Sequence, residues 1–283
     1  MDIKLIASDL DGTIIDRNHN IAEENIEAIK KIHSRDIPFV ICTGKSYSVS
    51  KSICEKFKAS YGVFGNGTQI IDFKNNKELL KNVLSKNDLL YIVTLAKRFN
   101  YHIHLYTEAD VITEKLTYMD LRNFILKSQT SDSSLSFITT ENMLEYIISN
   151  DLNVFSAVIT TEDSIIDFEN LLSTNQNVES TLIRKRGIYK DTIINKEYEY
   201  LNISPTHINK NEALNFLSKY LNIPRENMMA LGDNLNDLEM VKNSGIGIAI
   251  GNSYKELEAV ATYTTKKDVS HGGFAEAINK YLI

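Results

Sequence analysis

Ile3-Lys4-Leu5-Ile6-Ala7-Ser8-Asp9-Leu10-Asp11-Gly12-Thr13 is the stretch that decides the fold. Ile3 to Ser8 is a short apolar run and reads as a buried strand. Two carboxylates, Asp9 and Asp11, leave its end, and Gly12 permits a sharp turn. In open α/β sheets, ligands lie at the carboxyl ends of the strands. There, one carboxylate can attack phosphorus while the other serves as general acid and base. One plain alternative is a calcium loop, but an EF-hand needs an entering helix and a Glu at its twelfth position. Here a strand enters and that position is Asn20. A chance acidic turn is the other alternative.

Strands and helices alternate outward from this segment. A helix is expected over Ala22 to Ser34, with Glu23 and Glu24 early and Lys30 and Lys31 late, as the helix dipole prefers. Strands follow at Ile37 to Cys42 and Tyr61 to Phe64, separated by a helix from Ser46 to Phe57. Thr68 to Phe73 opens a hairpin. Such alternation implies a parallel sheet with right-handed crossovers.

The middle of the chain reads differently. A helix over Asn87 to Phe99, with Ser85 and Asp88 in a capping pattern, precedes Tyr101 to Tyr106, which alternates like a half-exposed strand. A polar loop, Ser128 to Ser134, is followed by short strands at Leu135 to Ile138, Asn153 to Thr160 and Val178 to Ile183. Helices at Glu141 to Ile148 and Glu162 to Leu172 lie between them.

After Pro205 the first pattern returns. A helix spans Asn211 to Leu221, strands lie at Met228 to Leu231 and Gly245 to Ile250, and helices at Tyr254 to Val260 and Phe274 to Tyr281 close the chain. The expected fold is α/β: a doubly wound parallel-sheet, Rossmann-like core from residues 1–82 and 196–283, with an inserted α+β domain at 83–195.

Three further motifs bear on chemistry. Thr43-Gly44-Lys45 follows the second strand, where a hydroxyl and a glycine amide can hold phosphate oxygens or simply cap a helix. Lys210 opens a helix, where a cation opposes the dipole, which hints at a site role; a merely solvated lysine is the plainer reading of this residue alone. Gly232-Asp233-Asn234-Leu235-Asn236-Asp237 follows another strand. Asp233 and Asp237 offer hard oxygen ligands suited to magnesium, and Asn236 can donate to a phosphate oxygen. An Asx-rich turn is the plainer reading of that loop. Three motifs directly after three buried strands can converge on one edge of a sheet.

Composition narrows the class. With 43% hydrophobic and 24% charged residues over 283 positions, the chain has the balance of a globular protein of two domains. The net charge of -6 and the absence of a long Lys/Arg run argue against a nucleic-acid partner. No apolar run approaches the ~20 residues of a membrane span, so no membrane partner is expected. Cys42 and Cys54 form neither a disulfide framework nor a zinc site, and a reduced cytoplasm is the expected location.

In Asp-Leu-Asp-Gly-Thr, then Thr-Gly, then Lys, then Gly-Asp-x-x-Asn-Asp, the chain resembles the haloacid dehalogenase-like superfamily along essentially its whole length. The insertion looks like a C2-type cap, and Gly65-Asn66-Gly67 and Ala249-Ile250-Gly251-Asn252 look like the Cof-type subfamily of phosphatases. The resemblance implies a magnesium-dependent phosphatase of small phosphorylated metabolites, sugar phosphates or phosphorylated cofactors such as flavin mononucleotide or pyridoxal phosphate. Asp9 would be the nucleophile and a magnesium ligand. Asp11 would be the acid and base, binding the metal through its carbonyl. Leu10 and Gly44 would give amides to phosphate, Thr43 its hydroxyl and Asn236 its carboxamide. Lys210 would neutralise phosphate and hold Asp9. Asp233 would bind magnesium, and Asp237 would bind it or orient the other ligands. An acid at position 11 separates phosphatases and phosphomutases from transport ATPases and dehalogenases.

The pattern has departures. Lys45 stands where the subfamily has Arg, Asn202 where it often has Glu, and Asn209-Lys210-Asn211 where it has Ser-Lys-Gly. Lysine keeps the charge but loses the planar fork for bidentate phosphate contact. A phosphomutase and a non-catalytic sensor of phosphometabolites are the competing readings; oligomeric state is not legible. His102 and His104 share a strand face as a possible metal pair, but two histidines without further ligands are more often structural or exposed. Arg184, Arg186 and Lys190 read as a solvated face as readily as a substrate face, and His271-Gly272-Gly273 as a turn or a loop near the site.

Overall fold

The structure, a computed structural model, describes residues 2–114, 136–161, 164–189 and 192–282. Its strands in chain order are β1 (Leu5–Ser8), β2 (Phe39–Cys42), β3 (Tyr61–Phe64), β4 (Gln69–Asp72), β5 (Lys77–Lys81), β6 (His102–Tyr106), β7 (Asp110–Glu114), β8 (Ser136–Thr140), β9 (Ser156–Thr160), β10 (Val178–Tyr189), β11 (Thr192–Pro205), β12 (Met228–Gly232), β13 (Ile246–Ala249) and β14 (Tyr263–Thr264). They form two sheets, and contacts divide the chain into two units. The first comprises Met1–Lys45, Ser52–Lys81 and Asn209–Ile283; the second comprises Ser46–Lys51 and Asn82–Ile208.

The first unit holds an eight-stranded sheet ordered β14-β13-β12-β1-β2-β3-β4-β5. It is parallel from β14 to β3, and β4 and β5 are antiparallel additions. β1, β2, β12 and β13 are buried along their whole length, as a parallel sheet covered on both faces requires. One face, with Leu5, Ala7, Val40 and Met228, packs on Ala213, Leu214 and Leu217 of helix Lys210–Leu221. On the other, Phe39 meets Phe274 of helix Gly273–Tyr281, ring centroids 6.1 Å apart. Asn25 of helix Glu23–His33 accepts from the Ala275 N–H at 3.1 Å and donates to the Ile14 carbonyl at 3.2 Å, joining the two helices on that face.

The expected doubly wound core is therefore present. Chain order reverses at β1, with β2 on one side and β12 on the other. That is the switch point at which open α/β sheets bind ligands. Asp9, Thr43 and Asp233 follow directly on these three strands.

The second unit holds a six-stranded sheet ordered β10-β11-β9-β6-β7-β8, antiparallel except between β7 and β8. Helix Lys86–Arg98 covers it through Leu89, Ile92 and Val93, which join Ile103, Leu105 and Leu201 in one core. The Ser85 hydroxyl accepts the Asp88 N–H at 3.1 Å, the cap its sequence announces.

Three features differ from the sequence reading. β6 is not half-exposed: His102 to Leu105 are all buried, Ile103 and Leu105 in the core beneath helix Lys86–Arg98, and His102 and His104 against each other and Thr113. β7 was not expected, since its apolar centre of two residues is flanked by Asp110 and by Thr113 and Glu114. β11 was not expected either. The sequence reading ends the insertion at Asn195, whereas β11 runs unbroken to Pro205, pairs with β10 and β9, and carries residues up to Ile208 into the second unit. A strand whose backbone bonds lie on both sides within one sheet cannot be divided between units.

The loop Ser128 to Ser134, the start of the strand at Leu135, the helix start at Glu162, Lys190, and the side chains of Arg184 and Arg186 lie outside the described residues. Cys42 and Cys54 are buried free thiols. Among the described residues no helix is long and apolar enough to cross a membrane.

Candidate active site

The site grows from the end of β1. Asp9 is 6% exposed, and its N–H continues the sheet by donating to the Leu231 carbonyl at 3.0 Å. The Leu10 carbonyl accepts from Ile14 and Ile15, both at 2.9 Å, which folds the chain back sharply. Gly12 makes this possible with φ 88°. A β-carbon there would also fall 2.2 Å from Asp233 Oδ2.

Lys210 is fully buried, and its ammonium bridges two carboxylates, Asp9 Oδ1 and Asp237 Oδ1, each at 2.6 Å. Asn209 caps the helix by accepting the Glu212 N–H at 2.9 Å, which fixes the turn that carries Lys210. The cation that opposes its own helix dipole is held by these two carboxylates. Burial alone would lower the Lys210 pKa, but Asp237 and Asp9 carry it above the ordinary lysine value. A buried charge of this kind persists only when paired.

The loop after β12 supplies the rest. Asp237 Oδ2 accepts the N–H groups of Asp233 and Asn234, each at 3.1 Å, so Asp237 ties the loop to Lys210. Thr13 Oγ1 approaches Asp233 Oδ1 at 3.5 Å. Burial, then Asp9 and Asp237, push the Asp233 carboxyl well above the usual range. Burial pushes Asp9 up to about 7, with Lys210 opposing and Asp237 and Asp11 adding to the rise. Asp9, Asp233 and Asp237 offer oxygens that all lie within 4.8 Å of one another. With one buried ammonium for three carboxyls, Asp9 and Asp233 are pushed toward the neutral form. An all-oxygen set of this kind suits a hard divalent cation.

Asp11 is brought to the same edge but lies nearer solvent. Lys45 Nζ donates to its Oδ1 at 2.7 Å, with side chains 35% and 41% exposed. Thr43 is buried, and its hydroxyl accepts the Lys45 N–H at 3.2 Å. Asn236 Nδ2 donates to Asn66 Oδ1 at 2.9 Å. All nine residues marked from the sequence, Asp9, Leu10, Asp11, Thr43, Gly44, Lys210, Asp233, Asn236 and Asp237, fall in the first unit.

Two residues were given no role by sequence reasoning. One is Asn66, which the sequence marked only as part of Gly65-Asn66-Gly67, a stretch like the Cof-type subfamily, with no role of its own. The other is Asn252, whose Nδ2 donates to the Gly12 carbonyl at 2.9 Å while its Oδ1 accepts the Val269 N–H at 2.8 Å, bracing the acidic turn. His102 and His104 are remote from this chemistry in sequence and belong to the second unit.

The haloacid dehalogenase-like hydrolase family matches residues 6–278. The phosphatase YwpJ of Bacillus subtilis is 26% identical over 279 residues, covering 95% of this chain and 97% of its own. The 5-amino-6-(5-phospho-D-ribitylamino)uracil phosphatase YcsE of the same organism is 29% identical, covering 100% and 97%. A crystal structure of a haloacid dehalogenase-like hydrolase from Bacteroides thetaiotaomicron superimposes with a TM-score of 0.78 at 23% identity, covering 99% of each chain; it bears on the fold.

Proposed function

This chain belongs to the haloacid dehalogenase-like hydrolase family, and on that premise we propose that it is a magnesium-dependent phosphatase of small phosphorylated metabolites that works through an aspartyl-phosphate on Asp9. The observation that carries the reading is the buried Asp9–Lys210–Asp237 array at the sheet's switch point, with Asp11 two residues from Asp9. A buried nucleophile held by an ammonium, beside a second carboxylate nearer solvent, is what two-step phosphoryl transfer needs.

In the first step an Asp9 carboxylate oxygen attacks phosphorus. The bond to the leaving oxygen breaks, and Asp11 gives that oxygen its proton. In the second step Asp11 takes a proton from water, which attacks phosphorus and releases phosphate and the free Asp9 carboxylate. Lys210 orients Asp9 and offsets charge on the transferring group. Thr43, the Leu10 and Gly44 amides and Asn236 would receive the remaining phosphate oxygens. Magnesium, held by Asp9, the Asp11 carbonyl and Asp233, would screen the repulsion between Asp9 and an anionic phosphate. Both Asp237 oxygens accept hydrogen bonds within the protein, which favours Asp237 as the residue that orients loop and lysine.

The second unit, inserted between Thr43 and Lys210, is read as a C2-type cap that selects the leaving group, and the chain as a Cof-type member in the cytoplasm. Relatives that are phosphatases, one of them named for a phosphorylated ribitylamino compound, support the substrate class without naming a substrate.

The test is inorganic phosphate release from a panel of sugar, polyol and cofactor monophosphates, with magnesium and with chelator. Release should need the metal, and Asp9→Asn should lower it by at least about a thousandfold. Turnover retained in Asp9→Asn would sink the mechanism.

A further inference from the structure

The turn Gly65–Gly67 follows β3 and has no part in the steps above. Its middle residue, Asn66, is 6% exposed and holds φ 56° and ψ 25°. Asparagine tolerates this left-handed conformation better than most residues. The Asn66 N–H donates to the Thr43 carbonyl at 3.0 Å, and the Gly65 N–H donates to the Lys45 carbonyl at 2.9 Å. The turn is thus bonded on both sides of Gly44. Its side chain reaches further: Oδ1 accepts from Asn236 Nδ2 at 2.9 Å and would lie 3.1 Å from a β-carbon on Gly44. At the turn's other end Gly67, with φ 116°, lies so close to Asn209 that a β-carbon would fall 2.6 Å from its carbonyl oxygen. One short turn therefore meets the β2 turn, the β12 loop and the residue that caps the Lys210 helix.

We propose that Asn66 is a positioning residue for the phosphate-binding groups, fixing the Asn236 carboxamide and filling the space over Gly44. The inference rests on the phosphatase reading above. A terminal carboxamide turns about a broad torsion. With one N–H bonded to Asn66, the Asn236 carboxamide is held in one plane, and its second N–H is aimed before substrate arrives. Donors fixed in advance are worth more to a transition state than donors that must be recruited. The same contact sets the distance between the Asn236 donor and the Gly44 amide, which come from different strands.

The experiment is a double-mutant cycle on kcat/KM for the best substrate and on inhibition by orthovanadate, with magnesium present throughout. The variants are Asn66→Gly, Asn236→Ala and both together. Glycine adopts the left-handed backbone freely, so Asn66→Gly should melt close to wild type. Alone it should lower kcat/KM about tenfold and weaken vanadate by a similar factor. On the Asn236→Ala background the same change should cost less than about twofold, since coupled residues are non-additive. Equal losses on both backgrounds would overturn the inference, because Asn66 would then act through the fold and not through Asn236. Asn66→Asp keeps the acceptor and the backbone but lays a carboxylate against the phosphate-binding groups. It should weaken vanadate more than Asn66→Gly does, and an equal or tighter inhibition would also overturn the proposal. A wild type that releases no phosphate from any monoester overturns the phosphatase reading and this inference with it. An active wild type with additive losses overturns this inference alone.

Discussion

Each unit buries a cluster of titratable side chains, one around Lys210 and one at His102 and His104, and the two clusters treat charge in opposite ways. In the first unit Lys210 is fully enclosed yet stays charged, because Asp9 and Asp237 each reach it at 2.6 Å. In the second, His102 and His104 lie on one face of β6, both buried, with their Nε2 atoms 3.0 Å apart. Among the described residues no carboxylate is hydrogen-bonded to either ring. Burial pulls His102 down, with Glu114 opposing, and burial and then His102 bring His104 down to about 3. The histidines therefore share a hydrogen bond as neutral rings. Buried charge is expensive, so it survives where a partner is built beside it, and neutralisation is the outcome elsewhere. Of these two clusters, the one that retains its charge is the one proposed to do chemistry.

Breaking the charged array should have the largest effect on stability. Lys210→Met leaves Asp9 and Asp237 buried without their cation, and a loss of about 3–5 kcal/mol is expected by urea denaturation without magnesium. Asp237→Asn in the same background should recover part of that loss, since it removes one uncompensated carboxylate. A Lys210→Met protein as stable as wild type would mean that the array is not the paired unit described here.

The neutral pair can be tested through pH. His104 has a folded pKa below its unfolded value of 6.5, so the native ring stays neutral where the unfolded chain takes up a proton. Stability from this group is full above about pH 6.5 and is lost as pH falls towards 3. At pH 5 the loss should be about 2 kcal/mol relative to pH 7.5. His104→Leu should flatten that part of the pH dependence; an unchanged slope would show that the ring is already charged in the native state.

The Lys45–Asp11 pair sharpens the contrast, since it is an ion pair in reach of solvent. Lys45→Met should change stability by less than about 1 kcal/mol, the usual worth of an exposed pair. Its effect belongs to catalysis. If Lys45 orients the Asp11 carboxylate, the variant should lose about tenfold in kcat on alkyl phosphates. It should lose less on p-nitrophenyl phosphate, whose leaving group needs no proton, and Lys45→Arg should restore turnover. Equal losses on both substrates would assign Lys45 to phosphate binding instead.

Much of the first unit was legible in the sequence, for local reasons. β1, β2, β3 and β12 are short apolar runs ended by Asp, Thr, Gly and Asp respectively, so strand and punctuation are visible together. The second unit was less legible. β7 is too short and too polar at its ends to signal itself, and β11 mixes charged and aromatic residues whose meaning depends on their partner strands.

The sequence by itself determined the order of the chemistry-bearing residues and the strand ends that carry them, because periodicity and turn-forming residues are local properties. It also pointed to one shared edge for Asp9, Asp11, Thr43 and Asp233, since a parallel sheet brings its strand ends together. Only the tertiary structure decided that Lys210 is clasped between Asp9 and Asp237, that Lys45 meets Asp11, and that Asn66 meets Asn236 across 170 positions of chain. Those pairings depend on side-chain direction and on burial, which arise when distant segments pack and leave no mark in the spacing of residues.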